Sequence, residues 1–561
     1  MPTRLLDVRG KENDDVKLVI SETLGTMPVQ YAALSYCWGT PEKAKTQLTT
    51  DMESLEERLS GIAYDSLTRV MQDAVTVCRS LDIPFLWIDS LCILQPQVVH
   101  DNGIKFTNQN DDWERESRMM GQIFSNAYLT ICAANSSSCH ESFLERSLVT
   151  TTLDFGSSID GTKHSCTLVQ QQVATSINPG FDNRPLTYDL HGMAWRDRGW
   201  VFQERQMSTR MLIFGTSTLH FQCQWLTLTE NGYRERCTQP QFFSGVLSDW
   251  ASSHSSELDR KQSSSLYPVF RDLIQDYRTT VLTYPSDRLP AMIGLIQLMG
   301  STIGDRCFHG LWEGDLHFDL LWKGLTRQYV DFRSVVAERS QQKFAPSWSW
   351  TGEDNQHRGY YGVNRFKIRE TTLRPAYRSA SIVREDYGHN DAEESFDGST
   401  LRIVAQAKPL RGDGLGKIEY THSALGELHT KRNGRYSYIA HCDFDFALGN
   451  DGKDLEDLCS NALLLFTSSE YVRNEPSLSI PGQHEFEDFL QKPEMISQGN
   501  EEELRQQHSD RRNLDAWGLV IYPIPRTGKY IRLGTFTTIS SEGVKGARMF
   551  VGIEYRAYDL V

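Results

Sequence analysis

From Tyr31 to Trp38 the chain is almost unbroken by polar residues, and the run stops at Gly39. A short apolar stretch closed by a turn residue reads as a buried strand. The period then changes. Leu67, Val70, Met71, Ala74, Val77, Cys78 and Leu81 recur three and four apart, which predicts an amphipathic helix over residues 66–81. Pro84 interrupts it, and Phe85–Asp89 reads as a second buried strand. Residues 95–111 are polar and predict a loop. Trp113–Phe124 returns to helical spacing, and Tyr128–Ala133 reads as a third strand. Strands alternating with helices predict a parallel sheet with right-handed crossovers and helices on both faces, an α/β core.

Beyond this core the pattern loosens. Residues 140–190 look irregular, with some short strands. Residues 195–225 predict a Trp/Arg-rich helix and a strand pair, and residues 257–330 are mostly helical in pattern. The stretch 383–399 is polar and charge-rich, as a linker or exposed loop would be. Past it, Leu401–Ala405, Ala462–Phe466, Trp517–Tyr522 and Met549–Tyr555 read as strands, so the C-terminal region is expected to be β-rich. Residues 484–513 are highly charged and predict an insertion between two of these strands. The expected partition is an N-terminal segment 1–30, an α/β domain 31–215 with its sheet core at 31–135, a mainly helical region 216–382, a linker 383–400 and a β-rich region 401–561.

Composition narrows the function. The 561 residues suffice for about three packing units and a large core. A net charge of −15 disfavours a nucleic acid or an anionic membrane as the main partner. The eleven cysteines include no C-x-x-C pair and form no disulfide framework, which suits a reducing compartment. Met1–Gly10 lacks the apolar core of a signal peptide, and Leu289–Ile303 is too short and interrupted to span a bilayer. The cytoplasm is the expected location.

Several blocks are specific enough to point to a family. Ala33-Leu-Ser-Tyr-Cys-Trp-Gly39 resembles the opening motif of the fungal heterokaryon-incompatibility (HET) domain. Leu86-Trp-Ile-Asp-Ser-Leu-Cys-Ile93 with Gln95 resembles its second block, and Asp112-Trp113, Glu116, Met120, Ile123 and Ala127 resemble its third. Arg198-Gly-Trp-Val-Phe-Gln-Glu-Arg205 is similar to an RGW-x-x-QER block. Ser286–Ala291 and Ala345–Trp350 are similar to downstream blocks of many members. Two departures stand out: a lengthened segment between Gln95 and Trp113, and Cys139–Arg146, which lacks a frequent glycine.

The resemblance implies a protein of non-self recognition that triggers growth arrest and cell death when unlike hyphae fuse. It also implies a TIR-like, flavodoxin-like core. Some TIR domains cleave NAD with one glutamate on the helix after a central strand. By that analogy NAD is the expected substrate, no cofactor or metal is required, and Glu116 is the catalytic candidate. Ser35, Tyr36, Trp38, Gly39, Asp89, Ser90 and Trp113 would form the substrate site at the carboxyl ends of the strands. The alternative is a non-enzymatic adaptor that works by self-association or by binding another incompatibility protein.

Plainer readings stand beside these. Asp111–Arg118 is a charged helical turn of the kind that forms a solvated face with i,i+4 pairs such as Glu114 with Arg118. Asp89 can cap the turn after its strand. Cys37 and Cys92 have no nearby histidine and read as core residues. Glu204 with Arg205 reads as a structural ion pair and, failing that, as the second functional carboxylate. His220 and Cys223 lie in a predicted strand without a second pair, so zinc is not expected. Gly412–Lys417 lacks the Walker spacing, and no G-x-S-x-G elbow occurs.

Overall fold

The computed structural model describes the chain except residues 26–28, 96–97, 102–103, 108–110, 147–148, 157–160, 171–184, 254–264, 323–328, 331, 342–344, 353–372, 384–399, 411–414, 423–424, 433–434, 445–446, 449–456, 459, 472–513 and 539–545. The proposed linker and the charged insertion therefore fall almost entirely outside the described residues. The chain forms two compact units, Met1–Ser263 with Asp272–Gly304, and Ser264–Arg271 with Asp305–Val561.

The first unit is a nine-stranded mixed sheet. In chain order its strands are β1 (Arg4–Asp7), β2 (Lys17–Ile20), β3 (Tyr31–Ser35), β4 (Phe85–Trp87), β5 (Leu129–Cys132), β6 (Arg210–Phe214), β7 (Leu219–Cys223), β8 (Leu226–Thr229) and β9 (Arg234–Arg236). Their spatial order is β9-β8-β7-β6-β5-β3-β4-β1-β2. The four central strands, β4, β3, β5 and β6, run parallel. Antiparallel pairs extend both edges. The three predicted core strands are thus present and adjacent. The sheet also takes in β1 and β2 from the N-terminal segment, and the strands after residue 215.

Three helices make the crossovers: α1 (Arg69–Ser80), α2 (Asp111–Asn126) and α3 (Gly199–Met207). Alternation along the strands sends side chains to two cores. Ala32, Leu34, Leu86, Ile131 and Phe214 face α1, whose Val70, Met71, Ala74, Val77 and Cys78 supply the apolar stripe read from the sequence. On the opposite face Cys132, Met211 and Ile213 pack with Trp195 and with Val201 of α3. On that face, too, Trp87 meets Phe124 of α2 edge to face at 5.6 Å, and the Tyr31 hydroxyl donates to the Ile123 carbonyl at 2.6 Å. The polar segment before α2 departs from a plain loop: Val98–Asp101 pairs with Ile104–Thr107 as a short hairpin.

Buried polar groups tie the loops to this frame. Asp73 on α1 accepts from Ser142 Oγ at 2.6 Å and from the amides of Phe143 and Leu144 at 2.9 and 3.2 Å. One carboxylate thereby satisfies three donors of the loop after β5, which would otherwise be costly to bury. Arg4 on β1 meets Asp112 at the start of α2 and donates to the Cys92 carbonyl at 2.9 Å.

In the second unit, pairings among Thr400–Pro409, Leu463–Tyr471, Leu514–Pro523, Lys529–Thr538 and Arg556–Leu560 run in a closed ring. Closure removes the exposed edges that an open sheet would present. Apolar residues including Leu464, Phe466, Val520, Ile531, Leu533 and Phe536 fill its core. The C-terminal region is β-rich, as the strand-like runs there predicted. One expected strand is absent. Met549 and Phe550 belong to a 3-10 turn, Gly546–Phe550, Val551 is exposed, and Gly552 turns the chain at φ +82°. Met549 and Phe550 are buried, with Phe550 stacked on Phe466 at 4.6 Å. A short apolar run cannot by itself separate a strand from a helical turn.

Candidate functional site

The parallel strands β3, β4, β5 and β6 stand in the spatial order 4-3-5-6, so the chain leaves β3 to one side for β4 and returns to the other side for β5. Such a reversal opens a crevice at the carboxyl ends of the strands. Ser35, the last residue of β3, lies opposite Cys132, the last residue of β5. Its hydroxyl donates to the carboxylate of Glu204 on α3 and accepts from Trp195 Nε1 at 2.8 Å. All three residues are buried.

The next residue points to the opposite face, as a strand requires. Tyr36 OH donates to Ser90 Oγ at 3.1 Å, and Gln47 Nε2 donates to both, at 2.7 and 3.0 Å. Asp89 accepts from the Ser90 amide at 2.7 Å and from Trp38 Nε1 at 3.0 Å. Arg198, just before α3, donates to the Tyr36 carbonyl. Its guanidinium lies within electrostatic reach of both Asp89 and Glu204.

The electrostatics favour proton uptake by the two carboxylates. Burial raises the Glu204 pKa to about 7, against the opposing pull of the Ser35 hydrogen bond and Arg198 and with a push from Asp89. Burial also raises Asp89, although Arg198 and the Ser90 amide lower it. Tyr36 is pushed well above the usual phenol range by burial and by Asp89. Cys37 is raised by burial, which suits a wall residue better than a nucleophile.

The structure thus gathers Ser35, Tyr36, Trp38, Asp89 and Ser90 at one end of the sheet and places the other sequence candidates elsewhere. Glu116 is buried on α2, where it accepts from the Thr3 hydroxyl and lies 3.6 Å from Arg115 Nε. Trp113 meets Trp200 edge to face at 6.4 Å, and Trp200 Nε1 donates to Asp287 at 3.2 Å. Gly39 has φ +102°, and a Cβ there would sit 2.7 Å from Ser138 Cβ. Its need for glycine is therefore met by packing against the loop after β5. The charged turn of α2 holds an i,i+3 pair, Arg115 with Asp112.

Glu204 and Arg205 do not form the expected ion pair. Glu204 turns to Ser35, and the Arg205 guanidinium lies 5.8 Å from the Trp195 ring centroid. Neighbours on a helix point about 100° apart, which separates them. The contact between Glu204 and Ser35 was not legible in the sequence because the two residues are 169 positions apart. Likewise unforeseen is a buried pair, His220 Nε2 with Asp189 at 2.9 Å, in which Asp189 also accepts from the Ser217 amide at 3.0 Å. No group of three or more His, Cys, Asp or Glu among the described residues is arranged to hold a metal, and no described helix is long and apolar enough to cross a membrane.

Residues 31–204 match the family model described as heterokaryon incompatibility protein (HET). Neither the curated proteins nor the solved structures give a match. The match begins at β3 and ends on Glu204, so it spans all of the strand ends and α3 residues that build the site. This chain therefore carries a HET domain over residues 31–204.

Proposed function

We propose that the protein acts as an effector of fungal non-self recognition and cell death, and that its HET domain hydrolyses NAD at the strand-end site with Glu204 as the catalytic carboxylate. The observation that carries this reading is the Glu204–Ser35 contact at the reversal point of the parallel strands. The order 2-1-3-4 among the parallel strands is that of flavodoxin-like sheets, which supports a TIR-like core. In that core the glutamate on the helix after a central strand is Glu204, on α3 after β5. Glu116 lies one crossover earlier and is occupied by Thr3.

In the proposed reaction the bond from ribose C1 to the nicotinamide nitrogen breaks. Its electrons neutralise the ring, so no acid is needed for the leaving group. The ribosyl cation is stabilised by ionised Glu204 in a water-poor setting, where a fixed charge acts strongly. Water adds to C1 and gives its proton to Glu204. Arg198, between Asp89 and Glu204, balances the two carboxylates. Trp38, anchored by Asp89, offers a face for a flat ring.

The test measures NAD consumption by the purified full chain, and NAD level and viability in cells expressing it. Glu204→Gln is expected to abolish cleavage and death, whereas Glu116→Gln retains cleavage. Turnover is expected to rise with pH through about 7, as Glu204 ionises. Death with unchanged NAD in Glu204→Gln cells would replace this reading with a non-enzymatic adaptor working by assembly.

A further inference from the structure

We propose that the guanidiniums of Arg196 and Arg205, beside Glu204 at the carboxyl end of β5, form a binding site for a phosphate group of the ligand. This deepens the reading above by specifying a phosphorylated substrate, and it is tested without reference to turnover.

Arg205 follows Glu204 on α3, and its guanidinium lies over Trp195, whose indole nitrogen donates to Ser35. Electrostatically it also senses Cys132, the last residue of β5. It therefore stands at the same strand reversal as the Ser35–Glu204 pair. Its Nε is buried without a hydrogen-bond partner. Among the described residues no carboxylate lies within ion-pair distance of Arg205 or of Arg196. Arg4, by contrast, meets Asp112, and Arg271 meets both Asp315 and Asp319.

A partly buried guanidinium without a counter-charge is unfavourable to the extent that its lost hydration is not replaced. A second cation makes matters worse. Burial, then Arg196, lower the Arg205 pKa to about 10. The carboxylate that faces both arginines is Asp276, which senses each without reaching either, and burial together with Asp272 raises its own pKa. The arrangement thus holds two positive groups close together with an incomplete counter-charge. Guanidinium presents a planar fork that matches phosphate oxygens, and two forks suit a doubly charged anion better than a carboxylate. Arg205 is partly exposed, so its terminal N–H groups can meet an anion from solvent.

The experiment is calorimetric titration of the full chain with inorganic phosphate, pyrophosphate and ADP-ribose at fixed ionic strength, with a melting temperature recorded for each protein. Pyrophosphate is expected to bind the wild type and to raise its melting temperature. ADP-ribose should bind more tightly than free phosphate if the site serves a nucleotide. Arg205→Gln is expected to weaken pyrophosphate at least tenfold, and Arg205→Lys to weaken it less. Arg196→Gln, at a partly exposed position, is expected to weaken it several-fold with the fold intact. Glu204→Gln should leave pyrophosphate binding within about threefold even where it abolishes NAD cleavage, so the two readings fail separately. Undetectable binding to the wild type, or equal binding to both glutamine variants, would overturn the proposal. So would a melting temperature lowered by Arg205→Gln with no change in affinity, which would mark Arg205 as packing on Trp195.

Discussion

Replacing Glu204 with glutamine removes one ionisable group from the buried strand-end site and keeps its shape. In the folded protein this carboxyl titrates at about 7, against 4.5 when unperturbed. Between those pH values the folded state holds a proton that the unfolded state has released. A group raised in this way contributes stability that is fully present below pH 4.5 and is lost as pH rises through about 7. At about 1.4 kcal/mol per pH unit, the full swing is about 3 kcal/mol. Glutamine cannot titrate, so the stability of the wild type relative to Glu204→Gln should fall by up to about 3 kcal/mol between pH 4.5 and pH 8. Denaturant titrations of both proteins across that range measure the difference directly. Hydrogen exchange of the β3 and β5 amides assigns it to the unit that contains Glu204. A stability difference that does not vary with pH would refute the reasoning, and so would one that grows in favour of the wild type as pH rises.

Two further outcomes follow from the same packing. Gly39→Ala should lower stability by about 2 kcal/mol, since φ +102° is unfavourable for alanine and the added Cβ would press on Ser138; a melting temperature equal to that of the wild type would contradict this. Arg4→Ala should cost about 3 kcal/mol in a denaturant titration, because it takes the buried Arg4 guanidinium away from the buried Asp112 carboxylate; a loss below about 1 kcal/mol would show that β1 is not held to α2 through this pair.

Much of the molecule was legible locally. The stripe of Val70, Met71, Ala74 and Val77 carries the helical period, and the runs around Leu34, Leu86 and Ile131 are buried strands because they are apolar throughout. The HET resemblance rested on the same segments, since the strand ends and the helix after them are written in contiguous blocks. Less legible was the hairpin before α2, where a polar composition gave no period to read. The N-terminal segment was set apart by sequence, yet β1 completes the sheet beside β4 through a pairing that links Leu6 to Leu86.

The sequence alone determined the element types of the core, the HET blocks and the residues present at the strand ends, because periodicity and motif spacing are properties of neighbouring positions. The tertiary structure decided which carboxylate meets Ser35 at the strand ends. Glu116 and Glu204 both lie on crossover helices within the matched domain, and neither period nor composition separates them. Chain reversal between β3 and β5 brings Glu204 to Ser35, while the placement of β1 beside β4 brings Thr3 to Glu116. Contacts between residues more than a hundred positions apart depend on strand order, and strand order is fixed by how the whole apolar surface is buried rather than by any local run of residues.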